Sequence, residues 1–146
     1  MSLDPNCIFC KIIKNQIPAS RVLVTDRVVA FLDINPVNHG HILLVPREHY
    51  PTLADLPEDL AADAASHLPA LCRAVRAATK ADGLNVIVNL GRIAGQTIDH
   101  VHWHIIPRFH NDGVHWPWPH KPYADDEMGQ LRFRIARELG TGPAED

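Results

Sequence analysis

The alternation of apolar and polar residues divides the chain into short strands. Five runs rich in apolar and β-branched residues lie at 21–25, 28–34, 41–46, 84–90 and 97–107. Only Asp26 and Arg27 separate the first two runs, which predicts a hairpin. Strands in hairpin-like groups, with helices between and after them, indicate an α+β fold built on an antiparallel sheet.

Helical periodicity accounts for much of the remaining chain. A short apolar helical face covers residues 7–15, and residues 125–139 have the spacing of an amphipathic helix. Residues 58–82 also have a helical pattern, but Pro69 removes a backbone hydrogen bond and clashes with the preceding turn. We therefore expect a short helix that ends near Ser66 and a main helix from about Pro69 to Lys80.

The composition fits one domain and excludes several functions. With 146 residues, 46% of them hydrophobic, the chain can bury one core. We expect a single domain over residues 1–146, with a core at about 7–108 and a Trp/Pro-rich loop, a helix and a disordered tail in 109–146. The net charge of −3 provides no basic field for a nucleic-acid polymer or a membrane surface. No apolar run approaches the roughly 20 residues of a membrane span, and the N-terminal residues lack the features of a signal peptide, so we expect a cytoplasmic protein.

Three histidines recur at every second position of the last predicted strand, at His100, His102 and His104. Because strand side chains alternate, all three project from one face. Each neutral imidazole has a donor and an acceptor that need partners when buried, so such a row suits a core poorly. Two chemistries use it. Either the rings converge on a metal that activates water, or one neutral ring attacks an electrophile while its neighbours orient it.

Polar groups suited to phosphate oxygens lie just before this row. Gly95, Gln96 and Thr97 provide a flexible turn, an amide and a hydroxyl, and Asn89 ends the preceding strand with another amide. Taken alone, these residues also describe an ordinary glycine-containing turn.

Cys7 and Cys10 form a C-x-x-C pair, which is half of a tetrahedral zinc site. A redox pair has the same spacing, but no thioredoxin-like βαβ pattern follows here. The sequence thus favours a metal site.

Residues 95–108 read GQTIDHVHWHIIPR, which resembles the signature of the histidine-triad (HIT) family of nucleotide hydrolases and transferases. The resemblance extends in matching order through CIFCKII, IPA, AFLDINP, GHILLVPREH and Asn89, over residues 7–108. It implies a HIT-like fold, in which a five-stranded antiparallel sheet with two main helices dimerises into a larger sheet.

The resemblance implies that His102 is a nucleophile that attacks the α-phosphorus of a nucleotide and forms a nucleotidyl-histidine intermediate. The second nitrogen of His102 would donate to the backbone carbonyl of His100. His104 matches a residue that contacts the α-phosphate. An unperturbed imidazole, with a pKa near ~6.5, is largely neutral at pH 7 and therefore nucleophilic.

Further positions match nucleotide contacts of the family. Gln96 and Thr97 match positions near the bond that is cleaved, Asn89 and Gly95 lie on the phosphate side, and Asp33 matches the carboxylate that binds the ribose. Four apolar positions match a slot for the purine ring, at Phe9, Ile12, Phe31 and Leu43. Core packing alone would also explain these four.

The resemblance also completes the metal site. Family members with the cysteine pair add two histidines, which match His49 and His100 here. Cys7, Cys10, His49 and His100 would hold a structural zinc ion with no open coordination position.

The expected function is hydrolysis of P–N or P–O bonds at the α-phosphorus of purine nucleotides, either nucleoside phosphoramidates or dinucleoside polyphosphates. The expected assembly is a homodimer. Two alternatives remain: a nucleotide-binding regulatory or adaptor protein with little turnover, and a hydrolase that holds its metal on all three triad histidines.

Overall fold

The computed structural model describes residues 3–115 and 119–140. The chain forms two compact units, Met1–Val114 and His115–Asp146, which are described separately. The predicted Trp/Pro-rich loop falls partly on residues 116–118, and the predicted tail falls on 141–146, so both lie outside the described residues.

The first unit is built on a five-stranded antiparallel sheet, as the sequence predicts. Its spatial order is β1-β2-β3-β5-β4, so that β1 and β4 are the edge strands. The strands are β1 (Arg21–Val24), β2 (Val28–Leu32), β3 (Ile42–Pro46), β4 (Gly83–Val88) and β5 (Trp103–Arg108).

Three α-helices lie in the described part of this unit: α1 (Ile8–Ile13), α2 (Glu58–Ser66) and α3 (Leu68–Thr79). The predicted break at Pro69 is confirmed, because His67 alone separates α2 from α3 and the proline occupies the first turn of α3. A missing N–H is harmless there, since the first N–H groups of a helix have no partner within it.

The sheet has an apolar core on each face. On one face, Leu44, Trp103 and Ile105 pack with Leu71 and Val75 of α3. On the other face, the residues of β2 and β3 that alternate with those of the first core pack against the apolar residues of α1. This second cluster includes Phe9, Cys10, Ile12, Phe31 and Leu43. Period-two alternation thus places α1 and the histidine side of β5 on the same face.

The last strand is shorter than the sequence predicts. The prediction begins at Thr97, but β5 begins at Trp103. Continued pairing of β3 with β5 would place Pro46 opposite Val101, and proline has no N–H for the ladder. Val101 instead donates its N–H to the carbonyl of Tyr50. His100 and His102 therefore lie on irregular backbone, and only His104 is in the strand.

The second unit contains α4 (Glu127–Glu138), within the predicted segment 125–139. Its apolar residues Met128 and Ile135 are exposed. No helix within residues 3–115 and 119–140 is long and apolar enough to span a membrane.

Candidate active site

A cavity of about 220 Å³ opens between α1, the end of β2 and the histidine row. Eight predicted site residues line it: Phe9, Ile12, Phe31, Asp33, Leu43, Thr97, His102 and His104. The lining combines apolar side chains with a carboxylate, a hydroxyl and two imidazoles. Such a combination of apolar walls and a few convergent polar groups is typical of small-molecule sites.

His102 is held by the backbone of its own segment. Its Nδ1 lies 2.8 Å from the carbonyl oxygen of His100 and donates to it. The proton is therefore on Nδ1, and Nε2 carries the free lone pair. Burial lowers the pKa of His102, although the carbonyl and Asp33 oppose that effect. The edge-on ring of Phe9, with centroids 5.0 Å apart, supports the imidazole from the α1 side. His102 is thus a buried, neutral imidazole with one available nitrogen.

His104 lies beside it, opposite Leu43 in the sheet register. The His102 and His104 rings have centroids 4.8 Å apart. Burial, with smaller contributions from the nearby His102 and His41, lowers the pKa of His104 to about 4. Two adjacent imidazoles are therefore uncharged at neutral pH.

The structure adds His41, to which the sequence analysis gave no role. His41 is buried, and its Nε2 lies 2.9 Å from Nδ1 of His104. The two-residue periodicity of the strand could have indicated this contact. His41 lies two positions before Leu43 and therefore on the same face of the sheet, and Leu43 pairs with His104.

The carboxylate of Asp33 is oriented by its own loop. Oδ1 accepts a hydrogen bond from the Asn35 N–H at 2.9 Å, and Oδ2 lies 3.7 Å from Nε2 of His41. The side chain lines the cavity mouth beside two apolar residues of the same segment.

The four predicted metal ligands meet in one buried cluster: Cys7, Cys10, His49 and His100. Nδ1 of His100 lies 3.4 Å from Cys7 Sγ and 3.6 Å from Cys10 Sγ, and it lies 3.2 Å from Nδ1 of His49. A tetrahedron with Zn–S of about 2.3 Å and Zn–N of about 2.0 Å has ligand separations of roughly 3.3–3.8 Å. The observed spacing fits a tetrahedral metal centre.

The outer nitrogens of both imidazoles also suit metal ligation. Nε2 of His100 donates to the carbonyl of Pro46 at 2.8 Å, so its Nδ1 is the unprotonated nitrogen that faces the cysteines. Nε2 of His49 lies 4.0 Å from an Asp4 carboxylate oxygen. Burial raises the pKa of the Cys10 thiol to about 11, so a thiolate there requires a cation.

Three predicted phosphate-side residues lie away from the cavity lining among the described residues. Asn89 and Gly95 are neighbours, since a Cβ built on Gly95 would approach Nδ2 of Asn89 to 3.2 Å. The buried Gln96 accepts a hydrogen bond from the Gly91 N–H at 2.9 Å and donates to the carbonyls of Pro51 and Ile98. Its predicted phosphate contact would require the amide to release one of these partners.

Fold and site together define the class: a five-stranded antiparallel sheet that carries a histidine-lined pocket next to a buried Cys/His cluster. The HIT domain family matches residues 14–111, and the chain belongs to this family.

The chain is similar to named relatives over most of its length. It is 38% identical to "Adenylylsulfatase HINT3" of Arabidopsis thaliana, over 99% of this chain and 75% of that protein. It is 40% identical to "Adenosine 5'-monophosphoramidase HNT1" of Saccharomyces cerevisiae, over 94% of this chain and 85% of that protein. A crystal structure of a HIT family member from Bacillus subtilis superposes with a TM-score of 0.87 at 36% identity and covers 97% of this chain and 99% of that one.

The first prediction concerns the loop that carries Thr97. Gln96→Ala leaves the Gly91 N–H and the carbonyls of Pro51 and Ile98 without these partners, so we expect the free energy of unfolding to fall by about 1–3 kcal/mol in urea titrations. Arg92→Ala is the control, because both of its contacts are exposed: an ion pair with Asp99, worth less than about 1 kcal/mol, and a 3.3 Å hydrogen bond to the Thr97 carbonyl. Equal effects of the two substitutions would contradict this role of Gln96.

Proposed function

We propose that this protein hydrolyses purine nucleotides at the α-phosphorus, with nucleoside phosphoramidates or dinucleoside polyphosphates as substrates. The observation that carries the proposal is the hydrogen bond from His102 Nδ1 to the His100 carbonyl, which leaves Nε2 unprotonated on a ring that lines the cavity. A buried, neutral and oriented imidazole is the form that nucleophilic catalysis needs.

In this proposal, the nucleoside occupies the apolar side of the cavity. The purine ring packs among Phe9, Ile12, Phe31 and Leu43, and the ribose hydroxyls donate to the carboxylate of Asp33 at the cavity mouth. These contacts leave the α-phosphate beside His102 and His104. Thr97 lies on the same side, and the loop with Asn89, Gly95 and Gln96 borders the leaving group.

The proposed chemistry has two displacements. Nε2 of His102 forms a bond to the α-phosphorus, while the bond to the leaving nitrogen or oxygen breaks and its electron pair departs with the leaving group. The ring becomes cationic, and the His100 carbonyl stabilises it through the Nδ1 proton. Water then attacks phosphorus, the N–P bond breaks, and the nucleoside monophosphate leaves with His102 neutral again. The proton that the water releases to solvent balances the proton that the leaving group takes up from solvent.

The named relatives support this class of reaction. The names of these two relatives, an adenylylsulfatase and an adenosine 5'-monophosphoramidase, share an adenylyl group and differ in the group attached to it. One site would serve both activities, because the cavity holds the nucleoside and the nucleophile attacks the phosphate that the two substrates share.

Two other functions fit less well. An adaptor with little turnover needs no oriented nucleophile, yet His102 has one free nitrogen and a stabilised second one. A hydrolase with one metal on all three triad histidines conflicts with His100, whose ring nitrogens face the Pro46 carbonyl and the cysteines.

We also propose that the Cys/His cluster holds a structural zinc ion. Two sulfurs and two imidazole nitrogens at tetrahedral spacing match the ligands that zinc prefers, and the set leaves no position for a substrate. A bound ion would supply no reacting group. It would stabilise the two thiolates and cross-link α1 to the segments that carry His49 and His100.

The nucleophile is tested by trapping the covalent adduct. With an AMP-based phosphoramidate, His102→Ala should form no nucleotidyl adduct by mass spectrometry, and kcat should fall by roughly 10⁴-fold or more, because the covalent route is lost. AMP binding by calorimetry should weaken by no more than about 10-fold, since the base and ribose contacts lie on other elements.

Two further histidines provide comparisons for this test. His104→Ala should lose less activity than His102→Ala and still form some adduct. His110→Ala, at an exposed histidine that approaches only Asp82, should behave like the wild-type protein. An adduct on His102→Ala protein would overturn the mechanism.

The zinc site is tested by metal content. In Cys7→Ser/Cys10→Ser protein, zinc measured by atomic absorption should fall from about one ion per chain to background. The midpoint of thermal unfolding should fall by on the order of 10 °C, because a tightly bound ion stabilises only the folded chain. Cys72→Ser is the matched control, since this thiol lies on α3 outside the cluster. A full equivalent of zinc in the double variant would contradict the assignment.

The same double variant separates the two hydrolase mechanisms. If the remaining folded protein hydrolyses the phosphoramidate without metal, the ion takes no part in the chemical step. Loss of turnover that zinc restores in a protein of unchanged fold would favour the metal-dependent alternative.

We further propose a homodimer that pairs two copies through the β4 edge. Within the described residues β4 pairs only with β5, and Val86 is exposed on it. An apolar edge strand is a hazard for aggregation, and a two-fold interface covers it on both copies at once.

The dimer is tested by analytical ultracentrifugation. Wild-type protein at micromolar concentration should sediment at about twice its 16.3 kDa chain mass. Val86→Lys should shift it towards monomer, because burial of an unpaired charge is costly. Val22→Lys, at the exposed edge strand β1, should leave the mass unchanged. A wild-type monomer, or equal effects of both variants, would refute the β4 interface.

A further inference from the structure

His41 has a partner at each ring nitrogen, and these partners determine where its proton lies. The Val37 N–H donates to Nδ1 of His41 at 3.0 Å. A nitrogen that accepts a hydrogen bond carries no proton of its own, so the single proton of the neutral ring is on Nε2. Burial lowers the pKa of His41, which keeps the ring in this neutral form at physiological pH.

The proton on Nε2 of His41 has one acceptor within hydrogen-bond distance. Nδ1 of His104 lies 2.9 Å away, whereas the Asp33 carboxylate lies 3.7 Å away, beyond the range of a direct hydrogen bond. His104 therefore accepts at Nδ1. Since His104 is also neutral, its own proton is on Nε2.

A metal site is the other interpretation of these residues, because donor atoms of Asp33, His41 and His104 lie within 4.8 Å of one another. A histidine that binds a metal through Nε2 has its proton on Nδ1 and donates it to an acceptor. Nδ1 of His41 instead faces the Val37 N–H. Metal ligation through Nε2 would place a proton on Nδ1, so that two N–H donors would point at each other. His100 has the opposite arrangement, with its outer nitrogen on a carbonyl, and it suits a metal.

We propose that His41 is a positioning residue that holds His104 in the tautomer with its proton on Nε2, so that His104 can donate a hydrogen bond to a phosphate oxygen of the substrate. The chain of hydrogen bonds runs from the Val37 N–H to Nδ1 of His41, and from Nε2 of His41 to Nδ1 of His104. This inference rests on the proposed function for its phosphate acceptor, but the tautomer itself is a property of the free protein.

Loss of the hydrogen bond from His41 to His104, which completes this relay from the Val37 N–H, has a specific consequence. Without a donor at Nδ1, His104 can hold its proton on either nitrogen. In the form with the proton on Nδ1, the lone pair of Nε2 repels a phosphate oxygen instead of binding it. The transferring phosphoryl group then loses a hydrogen bond that compensates its negative charge.

The tautomer can be measured by long-range ¹H–¹⁵N correlation NMR on the full-length protein with ¹⁵N-labelled histidine and no substrate. In the wild-type protein, His104 should show an unprotonated Nδ1 and a protonated Nε2. His41→Met provides a side chain of similar length but lacks the N–H that donates to His104. The His104 signals should therefore shift towards a mixture of tautomers.

His41→Gln is the matched variant, because its amide can accept from the Val37 N–H and donate to His104. It should restore the wild-type tautomer. For turnover of an AMP-based phosphoramidate, we expect kcat to fall by about 10-fold or more in His41→Met and by only a few-fold in His41→Gln, with AMP affinity little changed in both. A general loss of structure would not be rescued by the amide.

The outcomes separate this inference from the proposed function. A proton on Nδ1 of His104 in the wild-type protein overturns the inference, and so does a His41→Met protein whose His104 keeps the wild-type tautomer. If His41→Met fails to fold, a His41→Gln protein with altered His104 signals also overturns it. Wild-type protein with the expected tautomer but no turnover would support the relay and overturn the proposed function.

Discussion

The hydrogen bond between His102 Nδ1 and the carbonyl oxygen of His100 is the constraint on which the site depends. It determines which nitrogen of His102 is available, and it ties that ring to the backbone of a residue whose own side chain lies in the Cys/His cluster. His100 thus belongs to two sites at once. Its ring lies in the Cys/His cluster, and its carbonyl orients His102, two positions later, in the cavity.

Main-chain groups fix the proton positions of three buried imidazoles, those of His41, His100 and His102. The Pro46 carbonyl accepts from His100, the His100 carbonyl accepts from His102, and the Val37 N–H donates to His41. Burial is the largest influence on the pKa of each ring and keeps each one neutral. These histidines can therefore pack in one region without charge repulsion, because each ring is neutral. In each ring, one defined nitrogen carries the proton and the other carries the lone pair.

The sequence predicted the faces of the sheet better than the lengths of its strands. Period two placed Trp103 and Ile105 on the face opposite His104, and the structure agrees, because the first two pack in the core against α3 while His104 lines the cavity on the other face. The start of β5 was wrong because it depends on Pro46 of the partner strand, which no local pattern in β5 reveals. That Cys7, Cys10, His49 and His100 lie in one cluster could be anticipated from C-x-x-C and the family motifs. The hydrogen bonds of His41 and Gln96 could not be predicted in this way, because their partners at Val37 and Pro51 lie on loops whose paths are set by the tertiary fold.

The acceptor that orients His102 belongs to the main chain, and this changes how the site responds to sequence variation. In a triad with a carboxylate, a single substitution removes the orienting group. Here every residue type at position 100 supplies a carbonyl, so the orienting contact survives any substitution that preserves the local backbone path. The Cys/His cluster and the orientation of His102 can consequently diverge independently. A descendant of this chain could exchange the cluster for an apolar core at positions 7, 10, 49 and 100 and still present the same nitrogen of His102 to the cavity.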